Sequence, residues 1–445
     1  MIFDFKKNYI NKILFHKGLE KYFFNTAWLF SEYSLRMLMS LLIGIWVARY
    51  LGPTSFGIFS YSLAFAAIFT SIANLGLDEV LIRDFIANDK NIVYIGTAFW
   101  LRLIGSILLL AILAIGLILS SNDYLTSIYV LIIASGCIFQ SFNVIDLYFQ
   151  SQAKSKITSL AKLCQLLISS AIKICLIIIE ADLIWFVTVV LFDQITLAIL
   201  LIYSYYKQKL KIFYNKFNAL IAWKLLKDGW PQIISGFSIM IYIRIDQLLV
   251  NYYLGSDATG VYSVAIRLSE VFYIVPVLIT QSVFPSLVNS KNNVVIYNSR
   301  LSHLYTMLVI FSVITALVTT FLGGWVVNAL YGKAYSPAAS VLILHIWGGI
   351  FVALGVVGSK SIINENKQYL IVYRSIFGAI LNIILSMYLI PIYGIMGAAF
   401  GTLVAIIFSS YALDFFGKST RKMFYQKTRA LFLVDFFKYL RSPKW

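Results

Sequence analysis

The chain has 445 residues, of which 60% are hydrophobic and 12% are charged, about half the charged fraction of an ordinary soluble domain. Apolar runs of roughly 20 residues, the length needed to cross a bilayer core, recur along the sequence and leave no room for a soluble domain. A net charge of +17 would favour a nucleic-acid partner in a soluble protein, but basic residues also keep the cytoplasmic loops of membrane proteins inside. We therefore expect an all-α integral membrane protein with no nucleic-acid partner.

The apolar runs predict about twelve transmembrane helices, six in each half of the chain. In the first half the spans are expected at 24–50, 56–76, 93–119, 125–150, 157–179 and 183–206. In the second half they are expected at 229–254, 260–288, 303–326, 338–359, 369–390 and 393–416. The predicted organisation is an N-terminal six-helix lobe (1–206), a basic cytoplasmic linker (207–228), a C-terminal six-helix lobe (229–416) and a basic cytoplasmic tail (417–445).

The distribution of basic residues sets the expected orientation. With a cytoplasmic N-terminus, the inner segments hold 27 Lys and Arg residues, whereas the outer connections hold only Arg49 and Lys333. Because positively charged loops stay on the cytoplasmic side, both termini are expected in the cytoplasm. The linker combines Lys with Tyr, Phe and Trp, which predicts an amphipathic segment lying on anionic lipid headgroups, with a partner-docking loop as the alternative.

An internal repeat relates the two halves. The stretch Tyr50–Ser60 lines up with Tyr253–Ser263 without a gap, matching Tyr-Leu-Gly, a second Gly, an aliphatic residue, an aromatic residue and Ser. Each copy covers the turn between the first two predicted spans of its half and the start of the second span. Since both halves would run six helices from an inner start, they share one orientation and are expected to be parallel repeats.

The sequence lacks the common signatures of catalytic and metal sites. No Gly-x-x-x-x-Gly-Lys-Ser/Thr loop occurs, and Gly332-Lys333 lacks the other residues of that motif. His16, His303 and His345 are far apart and are not accompanied by Cys, so no zinc spacing is present. We therefore expect no catalytic residue, no metal and no cofactor, and a protein that is not an enzyme.

Charged residues inside the spans are the remaining candidates for function, because a charge at the centre of a span costs on the order of 2.5–3.5 kcal/mol. Arg102, Lys162 and Arg374 lie close enough to a cytoplasmic end to extend to the surface, and Lys173 is nearly as close to the outer end. The deeper residues are Arg36, Arg244 and Arg267, together with the acids Glu32, Asp193, Asp246 and Glu270.

Helical spacing assigns some of these residues to faces. Arg244, Gln247 and Asn251 are spaced i, i+3, i+7 and predict a polar stripe on the seventh span. Asp246 points away from Arg244 and is expected to pair with another helix. Glu32 and Arg36 form an i, i+4 pair on the first span. The alternative to a substrate-binding role is that these charges neutralise each other and hold helices together.

Five short motifs, in order along the chain, carry a resemblance to a known family. They are Ala-Arg-Tyr-Leu-Gly-Pro followed by Phe-Gly-x-Phe-Ser (48–60), Tyr-Ile-Arg-Ile-Asp (242–246), Tyr-Gly-x-x-Tyr (331–335), Leu-Asn (381–382) and Ile-Pro-x-Tyr-Gly-Ile-x-Gly-Ala-Ala (390–399). Together they resemble bacterial polysaccharide repeat-unit flippases of the O-antigen or capsule type. These belong to the broader multidrug/oligosaccharidyl-lipid/polysaccharide exporter superfamily.

The resemblance implies two six-helix bundles around a central cavity in the bacterial cytoplasmic membrane. The implied substrate is a polyprenyl-diphosphate-linked oligosaccharide, turned over from the inner to the outer leaflet, with the polysaccharide polymerase and chain-length proteins as further partners. An arginine suits the diphosphate because it binds oxyanions bidentately and stays charged. We therefore assign the diphosphate to Arg36, Arg244, Arg267, Gln247 and Asn251. We assign roles in coupling transport to an ion gradient, or as counter-ions of the arginines, to Glu32, Asp193, Asp246 and Glu270.

Three other functions fit parts of the same sequence. A multidrug cation antiporter of this fold should have an acidic and aromatic cavity, against which the three deep arginines argue. A peptidoglycan lipid II flippase would have two further helices, for which the chain after Phe416 is too polar. A membrane-embedded polysaccharide polymerase would be expected to carry catalytic arginines in large outer loops, which this chain lacks.

Overall fold

The computed structural model describes residues 17–87, 91–118, 123–210, 212–290, 293–365 and 367–434, and every regular element within these ranges is helical. In chain order the helices are α1 (Lys17–Ala73), α2 (Asp78–Ala87), α3 (Asn91–Ile118), α4 (Tyr124–Gln140), α5 (Val144–Ser151), α6 (Ser155–Ile178), α7 (Leu183–Lys207), α8 (Ala219–Asn289), α9 (Val294–Tyr331), α10 (Ala338–Asn364), α11 (Tyr369–Tyr393), α12 (Ile395–Ile407), α13 (Leu413–Phe416) and α14 (Arg421–Leu431). A π-turn, Phe408–Ala412, joins α12 to α13. The basic N-terminus, the end of the tail and most of the predicted outer loop at 120–124 lie outside the described residues.

Ten helical segments of the described chain are long and apolar enough to cross a membrane. Two of them, in α1 and α8, each hold two predicted spans, because the backbone bends at Gly52 and at Gly255. Both glycines combine a positive φ (71° and 81°) with an extended ψ, a conformation that only glycine adopts without strain. The prediction of an all-α membrane protein with about twelve spans is confirmed.

The chain forms two compact units. Of the described residues, unit 1 contains those up to Gly44 and within Ala66–Gly236, and unit 2 contains those within Ile45–Phe65 and from Phe237 onward. The predicted lobe boundaries stay a prediction. The two units nevertheless assign the first repeat copy, residues 50–60, to unit 2, and the linker to unit 1.

The linker between α7 and α8 packs into the core of unit 1. The ring of Phe213 is 3% exposed, and its centroid lies 5.6 Å from that of Phe99 and 5.3 Å from that of Tyr205. The indole N–H of Trp100 donates to the carbonyl of Tyr214 at 2.6 Å. Phe213 is therefore a core residue, and the prediction that the linker's aromatic residues lie on lipid headgroups was wrong for it.

Two basic side chains of unit 1 that were expected to extend to the membrane surface are held by carboxylates instead. Arg102 is 2% exposed and pairs with Asp78 at the start of α2. The ammonium of Lys162 lies 2.6 Å from the carboxylate of Asp146 on α5. The expectation of surface-reaching side chains was wrong because Asp78 lies in a predicted connection and Asp146 near the end of a predicted span, and the spacing within one helix does not show either pairing.

The two repeat copies pack against each other within unit 2. A Cβ atom on Gly57 would lie 1.7 Å from the carbonyl oxygen of Ser256, and one on Gly260 would lie 2.0 Å from that of Pro53. No side chain fits at either position, since real Cβ contacts are far longer. Gly57 and Gly260 are equivalent in the repeat, and this backbone contact is the physical reason that both are glycine.

The tail contributes a helix to unit 2. Met423 and Ala430 on α14 are buried in the core that α9 and α10 form. Lys427 on the same helix is fully buried beside Asp414 of α13, and Arg374 of α11, a third residue expected to reach the surface, pairs with the other oxygen of that carboxylate. The described part of the tail is therefore a packed element of this unit.

Candidate substrate and coupling sites

Arg244 is the arginine of unit 2 whose position suits contact with a substrate. It lies eleven residues before the bend at Gly255, which is roughly 16 Å along the helix and so about half of a membrane crossing. Its guanidinium is 3.1 Å from the carboxylate of Glu270, and the two side chains are 28% and 33% exposed. A guanidinium has five N–H donors in a planar fork, so a single carboxylate does not use up its capacity for oxyanions.

Arg267 contacts the first repeat copy. Its guanidinium carbon lies 4.9 Å from the centroid of the Phe56 ring, a distance at which the ring face attracts a cation. Tyr335 meets the same ring edge-on, with centroids 6.3 Å apart, and its hydroxyl donates to the carbonyl of Ala48 at 2.7 Å. These contacts place Arg267 at the packed repeat copies.

The other two residues of the predicted polar stripe have different surroundings. Gln247 is 5% exposed and therefore buried. The side-chain oxygen of Asn251 accepts hydrogen bonds from the hydroxyls of Ser256 and Thr259, both at 3.3 Å. Asn251 thus fastens the turn of the second repeat copy, which is a structural role that helical spacing alone could not reveal.

Asp246 is buried and surrounded by neutral donors. One carboxylate oxygen accepts from the hydroxyls of Tyr262 and Thr402, at 2.8 and 2.7 Å. The other accepts from the side-chain amide of Asn382 at 2.9 Å. The carboxyl is 3% exposed, and no basic residue of the described chain forms an ion pair with it.

Sequence reasoning missed the residues that surround Asp246. Tyr262, Asn382 and Thr402 come from the second limb of α8, from α11 and from α12. Two signals were available, since Tyr262 is the aromatic residue of the second repeat copy and Leu381-Asn382 is one of the motifs that carry the family resemblance. Neutral hydroxyls and amides inside apolar spans otherwise look like ordinary helix-packing residues.

In unit 1 both acidic candidates are paired with a cation. Glu32 is 3% exposed and pairs with Arg36 one turn later on α1, as the i, i+4 spacing predicts. Asp193 on α7 lies 3.2 Å from the ammonium of Lys173 on α6, and these side chains are 17% and 21% exposed. The pairing of Lys173 was missed, because its nearness to the outer end of its span favoured a surface position.

Solved structures share the fold over 89% to 94% of the chain. A solved lipid II flippase MurJ, in an inward closed conformation, matches with a TM-score of 0.74 and 16% identity, covering 94% of this chain and 93% of that one. An inward-facing multidrug resistance MATE family transporter of the MOP superfamily matches with a TM-score of 0.68 and 14% identity, covering 89% and 94%. At these identities the likeness establishes the fold, which is that of MOP-superfamily transporters.

The sequence assigns a family. Residues 23–291 match the family model described as "Polysaccharide biosynthesis protein", and the chain belongs to this family. It is also 24% identical over 392 residues to the probable flippase AglR of Haloferax volcanii, covering 83% of this chain and 78% of that protein. The family resemblance that the sequence motifs predicted is confirmed.

Proposed function

We propose that this protein flips a polyprenyl-diphosphate-linked oligosaccharide repeat unit from the cytoplasmic to the outer leaflet of a bacterial cytoplasmic membrane. The lipid-linked product would then supply a polysaccharide polymerase and its chain-length proteins in surface polysaccharide assembly. Family membership and the similarity to a probable flippase support a lipid-linked saccharide as the substrate class. The MOP-superfamily fold supports transport by alternating access, in which helix bundles rock about a central binding site.

The observation that carries this proposal is the partly exposed Arg244 at mid-depth in α8. An arginine in the hydrocarbon region is costly and tends to be retained where it has a function. Its fork-shaped set of donors fits the diphosphate oxygens of such a substrate. Glu270 would keep the guanidinium oriented between substrates, and Gln247 lies one turn further along the same helix.

The remaining predicted site residues take secondary places in the proposal. Arg267 is engaged with Phe56, and Asn251 with its own turn, so neither is needed as a first contact for the diphosphate. Arg36 belongs to unit 1 and pairs with Glu32, and its role in binding stays a prediction. Asp246 is the carboxyl that we assign to coupling, where it would exchange a proton or a sodium ion during turnover.

The test of the substrate site is a series of substitutions at Arg244 in cells whose surface polysaccharide depends on this protein. Arg244→Ala should nearly abolish display while the protein still reaches the membrane in normal amount. Arg244→Lys should retain partial display, because it keeps the charge and loses the bidentate geometry. The matched control is Arg300→Ala, which removes an arginine bound to Ser286 in the same unit.

A double substitution separates binding from simple charge neutralisation. If Arg244 only compensates Glu270, then Arg244→Ala with Glu270→Gln should restore full display, because the uncompensated acid was the defect. Full display in that double variant would overturn the assignment of Arg244. Normal display in Arg244→Ala, together with efflux of cationic dyes, would instead favour a multidrug cation antiporter.

The proposed orientation is tested by labelling in intact cells. Cysteines at Asp182 and Asp257 should react with an impermeant reagent added outside, since both residues lie in connections predicted to be outer. Cysteines at Lys154 and Lys209 should not react, because basic connections stay inside. Labelling at Lys209 from outside would contradict the assignment of both termini to the cytoplasm.

A further inference from the structure

The last span contains an irregular turn at the point where the tail helix contacts it. Residues Phe408–Ala412 form a π-turn between α12 and α13, which accommodates one residue more than an α-helical turn. Such turns are rare and are often found at functional sites. Nothing in the proposed function accounts for its presence, and neither proline nor glycine lies within it.

A side chain of the tail helix binds the backbone of this π-turn. The ammonium of Lys427 donates to the carbonyl of Ser410 at 2.6 Å and to the carboxylate of Asp414 at 2.7 Å. Lys427 is fully buried and passes over Gly358 of α10, where a Cβ atom would lie 2.8 Å from its nitrogen. Burial, and to a lesser extent the charge of Arg374, lower the pKa of Lys427. Its acceptors therefore hold an ammonium that is costly to bury.

Both ends of the irregular span make further contacts. On the inner side, Asp414 pairs with Arg374 of α11, and the hydroxyl of Thr420 donates to the carbonyl of Asp414 at 3.0 Å. On the outer side, Thr402 donates to Asp246. The π-turn therefore sets the rotational register between the inner anchor and the carboxyl site.

The register follows from helix geometry. If the π-turn relaxed to α-helix while the inner end stayed in place, the extra residue would be taken into the regular helix. The outer part would then rotate by about 100° and advance by about 1.5 Å, the share of one residue in a helical turn. Each position facing α11 and Asp246 would be taken by the next residue in the chain, so Leu403 would replace Thr402.

We propose that the π-turn is a two-position register switch, and that Lys427 holds it in the position that presents Thr402 to Asp246. Lys427 is thus a positioning residue for the carboxyl site, acting from the tail through the backbone of the last span. A change that withdraws the tail helix would withdraw a hydroxyl donor from Asp246. The inference concerns the register of this span and stands whether or not Asp246 proves to be a coupling residue.

Disulfide crosslinking between α11 and α12 shows which residue of α12 faces Ser386 of α11, and so measures the register of the last span. A Cβ atom at Gly401 would lie 3.1 Å from the hydroxyl oxygen of Ser386, a separation suited to a disulfide between cysteines at these two positions. The π register therefore favours a disulfide in the pair Ser386→Cys with Gly401→Cys (the 401 pair). The shifted register favours a disulfide in the pair Ser386→Cys with Thr402→Cys (the 402 pair). Both pairs are built in full-length protein in which Cys137, Cys164 and Cys175 are replaced by Ser.

Lys427→Met should change which pair crosslinks. We expect the ratio of the 401 pair to the 402 pair to fall by about tenfold or more, because a hydrogen bond to a charged group is lost from the π-turn. The matched control is Lys422→Met, an exposed lysine on the same helix, which should leave the ratio unchanged. An unchanged ratio in a monodisperse Lys427→Met protein overturns the proposal.

Deletion of Ser410 distinguishes a change of register from general destabilisation. Removing one residue lets the π-turn become α-helix with both ends in place, so adding this deletion to Lys427→Met should restore the 401 pair. If Lys427→Met does not yield monodisperse protein, the crosslinking pattern is measured in the Ser410 deletion with Lys427 present. If the 401 pair still crosslinks, the turn has become α-helical without moving the outer part of the span, which supports the proposal. If Ser386→Cys crosslinks instead to a cysteine at position 400, the outer part has moved and the proposal is overturned.

Discussion

Asp193 in unit 1 and Asp246 in unit 2 are both carboxyl groups inside helical bundles, and they have different kinds of partner. Asp193 has a permanent cation, because the ammonium of Lys173 is 3.2 Å away. Asp246 has hydroxyl and amide donors, which stabilise a carboxylate without cancelling its charge. The difference indicates which acid can take up and release a mobile cation, since a carboxylate that is already paired gains little from another charge.

The repeat adds detail to this comparison. Lys173 follows Ser169 by four residues on α6, and its ammonium donates to the hydroxyl oxygen of Ser169 at 2.8 Å. Ser386 follows Asn382 by four residues on α11, and its hydroxyl donates to the Asn382 amide oxygen at 3.1 Å. Both helices are the fifth predicted span of their half. Each of these two helices thus has an i, i+4 polar pair, which contains a lysine in unit 1 and no charged residue in unit 2.

The largest effect is expected from Asp246→Asn. This change removes the charge while it keeps the shape of the side chain, so a coupling role predicts loss of display on the order of tenfold or more at normal protein amount. The measurement is surface polysaccharide per molecule of protein in the membrane. Asp193→Asn is the matched control, and it should lower the amount of protein more than the display per molecule. Equal losses of display per molecule at both positions would contradict the comparison.

A smaller but still several-fold loss is expected from Ser386→Lys. The new ammonium would supply Asp246 with the kind of permanent cation that Lys173 gives Asp193, which should hinder exchange of a mobile cation. Because Ser386 is fully buried, the lysine should also lower the thermal stability in detergent, so display is measured per molecule of folded protein in the membrane. Ser375→Lys on the same helix is the control. Unimpaired display with Ser386→Lys would show that a fixed charge is tolerated at the site.

The smallest net effect is expected when the unit 1 pair is removed as a whole. Lys173→Met alone leaves a largely buried carboxylate without its cation, which should lower the free energy of unfolding by about 3 kcal/mol. Adding Asp193→Leu should recover most of that loss, because an apolar pair can replace a buried ion pair. The unfolding midpoint in detergent and the display of the double variant are the readouts. A double variant that is stable but has lost display would assign a functional role to this pair as well.

The sequence predicted the fold more completely than the site. Twelve apolar runs, the repeat at Tyr50 and Tyr253 and the glycines at the bends follow from composition and local geometry, and these were sufficient for the architecture. The pairing of Arg244 with Glu270 was one of the alternatives that helical spacing left open. The spacing did show that Asp246 and Arg244 point to different faces of their helix. The partners of Asp246 could not be found in this way, because they lie on three helical segments that are distant in sequence.

By itself the sequence determined that this chain is an all-α membrane protein with two related halves and a few costly charges within its spans. Those properties depend on hydrophobicity, helix period and local glycine conformation, which act over one helix or less. The tertiary structure alone decided which charges are neutralised and which is held only by neutral donors. It also decided that the lysine of a polar tail, Lys427, reaches a carboxylate in the last span. These outcomes depend on which helices pack together, because the free energy of a buried charge is set by the groups around it.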